Sequence, residues 1–138
     1  MSVQIHALRL HPGQDLRRAL GTYAQEEALE AAVIVSAIGS LETAALRFAG
    51  QSEAQVLQGP FELLSLAGTL STHGLHLHGA IANGAGSVCG GHIAAGCVIY
   101  TTAEVAIAAL PGYSFRREID PQTGYRELCI NPARQESQ

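Results

Sequence analysis

Six histidines occur in this chain, and four of them lie between positions 73 and 92. The pattern that could do chemistry is His76-Leu77-His78 followed by Gly90-Gly91-His92. In an extended strand, residues two apart point to the same face, so His76 and His78 project together. Three neutral imidazoles on one divalent cation leave a tetrahedral position open for water or a ligand, as in catalytic rather than closed structural zinc sites. Imidazole also suits nickel, copper and iron, so the ligands alone leave the metal's identity open. The competing reading is a pair of half-buried, hydrogen-bonded side chains on a strand, since this spacing is looser than a CxxC pair or an HExxH helix.

The geometry depends on the hairpin that carries the histidines. Leu75 to Ile81 and Val88 to Ile93 flank the tip Asn83-Gly84-Ala85-Gly86, which reads as a β-hairpin. Pairing Asn83 with Ser87 across a three-residue loop puts His78 opposite His92, and pairing Ile81 with Ser87 across five residues puts His76 there. An even loop would turn His92 to the other face. Gly90 and Gly91 would let backbone or substrate come close, and His73, in the preceding turn, is a possible fourth ligand.

Other candidates are weaker. Glu104 follows Thr101-Thr102 in an otherwise apolar strand. It could orient a ligand histidine or act as the catalytic base, or be a strand-end charge reaching solvent. Glu62 is similar, and Arg47, between Leu46 and Phe48, could face an anionic ligand or form a salt bridge at an interface. Cys89, Cys97 and Cys129 are an odd number without CxxC spacing and read as buried thiols of a reducing interior. There is no GxSxG elbow and no Walker-type phosphate loop.

The elements that must position these groups are mostly strands. Val3 to Leu10 alternates as an opening strand, and His11-Pro12-Gly13 interrupts it. Asp15 to Leu29 has helical spacing of Leu16, Leu20, Tyr23 and Ala24, with the Asp15 carboxylate favourably placed against the helix dipole. Residues 32–38, 43–48, 61–70, 98–107, 114–119 and 125–130 complete the strands, with 50–59 read as a polar loop. Short turns imply antiparallel pairing. The expected class is α+β, a bent, mostly antiparallel sheet of about seven strands with one main N-terminal helix. Residues 1–132 are expected to form a single domain and 133–138 a polar tail.

Composition narrows the function. The chain has 138 residues, enough for one domain that needs no disulfide. Charged residues are 14%, against roughly 25% in an average soluble protein, which favours burial of surface between copies of the chain. The net charge is −4 and no lysine is present, which argues against autonomous nucleic-acid binding. No secretory layout opens the sequence and no apolar run approaches the ~20 residues that span a bilayer. A cytoplasmic protein without membrane contact is expected.

Several blocks, in order, resemble the PPC (plants and prokaryotes conserved) domain of the stand-alone microbial type. They are Gly13-Gln14-Asp15-Leu16, Ala37-Ile38-Gly39-Ser40-Leu41, the run Phe61 to Thr69, His76-Leu77-His78, Gly90-Gly91-His92, and the run Gly96 to Glu104. The resemblance covers residues 5 to 130. It implies a strongly bent antiparallel sheet and assembly as a homotrimer. In some members the HxH and GGH histidines hold a metal, which carries over to His76, His78 and His92, with zinc the first candidate. The implied activity is a metal-dependent small-molecule site or a ligand-sensing module. The alternative is a DNA-associated regulator, because plant members carry an AT-hook and microbial relatives inherit a DNA-binding label. This sequence lacks the Arg-Gly-Arg-Pro hook, so the label does not transfer on physical grounds.

Overall fold

The computed structural model describes residues 2–134. Of the expected polar tail, residues 135–138 lie outside the described residues. The elements run β1 (Gln4–Leu10), α1 (Leu16–Glu26), β2 (Ala32–Arg47), β3 (Gln55–Ser71), β4 (Gly74–Ala82), β5 (Val88–Ile93), β6 (Val98–Ala109), β7 (Tyr113–Ile119) and β8 (Arg126–Pro132). The fold is α+β with one helix and mostly antiparallel strands, as the sequence leads one to expect. The eight strands divide into a six-stranded sheet of order β1-β6-β2-β3-β4-β5 and a separate β7–β8 hairpin.

The sheet bends until it closes on itself. Besides its place next to β3, β2 pairs with β5 through Leu46↔Ile93 and Arg47↔His92, which completes the ring β2-β3-β4-β5. The bend is built from bulges. In its pairing with β6, β2 shifts register at Ile34/Ser36, Gly39/Leu41 and Leu41/Thr43, and an extra residue on one strand kinks and twists it. The sequence reading divides this strand near Gly39; in the structure it runs through as 16 residues, from Ala32 to Thr43 against β6 and at Leu46 and Arg47 against β5.

The same effect hides the start of β3. Residues 50–59 read as a polar loop, yet Gln55–Gln58 pair with Thr43–Leu46. The Gly59-Pro60 step that suggests a break sits opposite the bulge between Leu41 and Thr43, where a proline without an N–H costs the ladder nothing.

Helix α1 covers one end of the ring. Asp15 caps it by accepting from the Arg18 backbone N–H at 2.9 Å, and its second oxygen accepts from Gly96 N–H at 2.6 Å. Leu16, Leu20 and Ala24 are fully buried and join Leu41, Leu46, Leu63, Leu77, Ile81, Ile93, Ile99 and Ile107 in one core. Leu77 and Ile81 of β4 are fully buried, so His76 and His78, of the opposite parity, face outward, and Ala82 is buried at the strand's end.

Above that outer face lies the β7–β8 hairpin. Ser71 Oγ donates to Phe115 O at 3.0 Å, Phe115 N–H donates to Glu30 O at 2.8 Å, and an Arg117 guanidinium N–H donates to Thr69 Oγ1 at 2.8 Å. These bonds tie the hairpin to the end of β3 and to Glu30, just before β2.

Candidate metal centre

The histidine hairpin takes the three-residue register. Asn83 N–H donates to Ser87 O at 3.0 Å, and the Asn83 side chain accepts from Ala85 and Ser87 N–H at 3.0 Å each, which fixes the tip. From there the ladder runs Ala82↔Val88, Ala80↔Gly90 and Gly79↔Gly91 to His78↔His92. All three imidazoles therefore stand on one face, and one ligand atom from each lies within 4.8 Å of the others. Ring centroids are 4.7 Å apart for His76 and His78, 5.3 Å for His76 and His92, and 5.8 Å for His78 and His92. Nitrogens held about 2.0–2.1 Å from a tetrahedral zinc sit roughly 3.3 Å from one another. The shortest pair, His76 Nε2 and His78 Nε2 at 3.0 Å, and the 4.8 Å limit bracket that value.

Two observations suit a cation. His92 Nδ1 is buried with no hydrogen-bond partner among the described residues; a metal ligand bond is one way to satisfy such an atom. Two of the rings, His92 and His76, are also shifted toward the neutral form that metal binding needs. Burial, followed by Arg47, Arg17 and the neighbouring imidazoles, pushes His92 down to about 4. Burial, then His78 and Arg117, lowers His76, with Glu127 opposing.

The paired glycines have a backbone reason. A Cβ at Gly90 would lie 2.6 Å from Gly79 O, and one at Gly91 would lie 2.8 Å from Arg47 O. The two glycines let β5 approach β4 on one side and β2 on the other. The sequence reading allowed them to admit either backbone or substrate, and backbone fills both places.

Two of the triad, His76 and His92, line a cleft of about 660 Å³ to which α1, β2, β4, β5 and the β7–β8 hairpin contribute. Arg17, Arg47, Arg117 and Arg126 line it together with Tyr125 and Glu127. His73 lines the cleft but falls outside the group of three whose nitrogens converge. Glu104 is elsewhere: it pairs with Ile38 on β2 and Arg9 on β1 and lines a second cleft with Tyr100 and Thr102. Ile38 and Arg47 are nine positions apart on β2, which separates Glu104 from the β2–β5 seam. Within the chain the carboxylate beside the triad is instead Glu127, which sequence reasoning missed. Glu127 and Arg126 arrive from a hairpin distant in sequence, and only the packing of that hairpin over β4 gives them a role. Glu62 lines the same second cleft as Glu104.

Of the thiols, Cys97 is fully buried and bonded to Ala45 through both backbone groups, at 3.3 and 3.4 Å. Cys89 and Cys129 are free and only half-buried. No helix among the described residues is long and apolar enough to cross a membrane.

A bulged antiparallel ring with an outward three-histidine cluster that could hold a metal ion, capped by one helix and a hairpin, defines a β-rich domain. The chain belongs to the Plants and Prokaryotes Conserved (PCC, equally PPC) domain family, which its residues 1–111 match. A hypothetical protein from Salmonella enterica has the same fold at a TM-score of 0.92, with 42% identity over 95% of each chain. A metal-containing protein from Archaeoglobus fulgidus superposes with a TM-score of 0.80 and 30% identity, over 91% of this chain and 93% of the other. A PPC protein of Pyrococcus horikoshii gives 0.75 and 28% over 91% and 92%. A bifunctional protein GlmU of Synechococcus sp. (strain JA-2-3B'a(2-13)) is 47% identical over 131 residues, which is 95% of this chain and 21% of that protein. The chain thus spans about a fifth of the length of the curated relatives it matches.

Proposed function

We propose that this protein is a metal-dependent PCC-domain module in which His76, His78 and His92 hold one divalent cation, zinc first, at the wall of a ligand cleft. The observation that carries the reading is the convergence of three imidazole nitrogens within 4.8 Å on one outward face. That the 30% identical archaeal relative is a metal-containing protein supports it. When bound, such a cation supplies Lewis-acid polarisation of a ligand oxygen. The protein's own part is to favour the neutral form of His76 and His92 by burial and neighbouring arginines, to hold the three rings on one face by the β4–β5 ladder, and to bring Glu127 to the rim as a proton acceptor. Three histidine ligands leave a coordination position for a small molecule, which suits ligand sensing or turnover.

We place the protein in a homotrimer. Ile38, Leu64 and Tyr100 are 52%, 47% and 51% exposed around the second cleft, an apolar surface that a further copy of the chain would cover.

Elemental analysis of the purified protein tests the metal. About one equivalent of zinc or another divalent metal is expected, with loss in both His76→Ala and His92→Ala. Equal metal content in all three would end the proposal.

A further inference from the structure

We propose that the histidine cleft contains an oxyanion subsite, formed by Arg17, Arg47, Arg117 and Arg126, which selects a small ligand bearing a carboxylate or phosphate group. The inference rests on the reading of this cleft as the ligand site and names its substrate class.

The charge distribution is the first support. The chain has eight cationic residues and a net charge of −4, yet four of the eight line this one cleft. Among the described residues, Glu127 is the single carboxylate that lines the cleft. An isolated cluster of like charges raises the energy of the fold unless a counter-charge occupies it, and a cation at the triad would add further positive charge. An acidic protein that concentrates half its arginines around one concavity is built for an anion to enter.

The way the arginines are held is the second. Arg17 donates to Ile93 O at 3.3 Å and to Leu75 O at 3.2 Å. Arg47 donates to Gln51 O at 3.4 Å, Arg117 to Thr69 Oγ1 at 2.8 Å, and Arg126 to Arg117 O at 3.5 Å. Every one of these acceptors is neutral. Each bond fixes a guanidinium by part of its donor set without pairing it to a carboxylate, although the Asp15 charge partly offsets that of Arg17. A guanidinium has five N–H donors in a planar fork, so donors remain for a ligand, and the fork matches carboxylate and phosphate oxygens.

The topology is the third. Arg17 comes from α1, Arg47 from the end of β2 where it pairs with His92, and Arg117 and Arg126 from the two strands of the hairpin. Three elements converge on one opening from different sides, so a ligand there would be gripped across the cleft and beside the histidines. Fork contacts from several directions orient an oxyanion, whereas a single surface arginine would only attract it.

The test is calorimetric titration of the full chain at low ionic strength with inorganic phosphate and, separately, with pyruvate. Metal content is first measured, and metal-loaded and metal-stripped samples are both used. At least one anion is expected to bind, and the stronger of the two identifies the oxyanion. Arg117→Ala and Arg126→Ala should each weaken it by roughly tenfold or more, the scale of one charge-assisted hydrogen bond. Arg9→Ala, whose side chain bonds Thr102 far from the cleft, should leave it unchanged. Arg126 is exposed, so its replacement leaves the fold intact and keeps the test valid if Arg117→Ala is unstable. Arginine-dependent anion binding in a protein that takes up no metal would retain the subsite and remove the metal. A metal-loaded protein that binds neither anion, or binds equally in all variants, would overturn the subsite alone.

Discussion

Two clefts flank the bent sheet, and each contains a carboxylate that the chain could have used. The first is lined by histidines, arginines and Glu127; the second by Ile38, Phe61, Leu64, Tyr100 and Glu104. Glu104 is exposed and stands beside Arg9, Ile38 and Thr102, with no imidazole lining its cleft. Glu127 is embedded among cationic groups and contributes to the titration of His76. The difference teaches that a carboxylate in a β-rich domain takes its role from which sheet face it occupies, not from the apolarity of its own strand. In the proposed reading one cleft binds a ligand and the other is covered by a further copy of the chain.

The largest effect should come from breaking the first cleft at its ligands. His92→Ala removes one of three donors and should lower zinc affinity by at least about a hundredfold, since losing a residue that merely orients a metal ligand already costs roughly 10–100-fold. Competition with a chromophoric zinc indicator measures it. Undiminished affinity would mean that the two clefts do not differ in metal chemistry at all.

The second cleft should respond in a different currency, that of assembly. Tyr100→Glu places a charge in the apolar surface, and a sedimentation experiment should show the mass falling from three chains to one. Loss of metal without loss of assembly would reverse the roles assigned to the two clefts.

The seam beneath the histidines can be tested by one carbon atom. In Gly91→Ala the new Cβ would meet Arg47 O at 2.8 Å, a backbone atom that cannot swing away. Overpacking of this kind costs about 1–3 kcal/mol, readable as a lower midpoint in urea. The same substitution at Gly84, where a Cβ meets nothing within 4 Å, should be nearly silent.

Much of the first cleft could be read from the chain, because hairpin arithmetic is local. Once Gly84-Ala85-Gly86 forms an odd loop, parity alone carries His92 to the face of His76 and His78. The opening strand, the helix and the two hairpins follow in the same way from short-range periodicity and turn chemistry. What could not be read is what arrives from a distance. Arg117, Arg126 and Glu127 reach the site only because β7–β8 folds over β4, and nothing in Tyr125-Arg126-Glu127 announces that contact. Arg47 could be placed on a strand, but its neighbour His92 depends on the closure of β2 onto β5, a pairing between residues 45 apart in sequence. The continuity of β2 through Gly39 was concealed for the opposite reason: bulges interrupt the sequence pattern while the ladder continues.

A smaller effect separates the clefts by pH. In the metal-free protein His92 titrates near 4, below its ordinary 6.5. As pH falls through 6.5 the unfolded chain takes up the proton first, so stability declines from there down to about 4 and levels below it. The metal-free melting temperature should drop by roughly a few degrees across that window. His92→Gln should flatten the slope, while the ring resonances of His92 in proton NMR should move only near pH 4. A midpoint near 6.5 would show that burial and the arginines do not act on this ring.

The smallest effect is expected at Glu104. In Glu104→Gln the strand keeps its shape and one surface carboxylate is lost. Because Glu104 pairs with Ile38 and Arg9 and lies in the apolar cleft, zinc affinity should stay within about twofold, the tolerance expected of an exposed site. Glu127→Gln is the informative partner. It removes the one carboxylate in the arginine-rich cleft, so it should raise affinity for an added anion by relieving repulsion while metal content stays at one equivalent. If Glu104→Gln depleted the metal and Glu127→Gln did not alter anion binding, Glu104 would have to meet the histidines of another copy of the chain. The second cleft would then be the place where one subunit completes the site of its neighbour, and the separation of binding from assembly would be confined to the single chain.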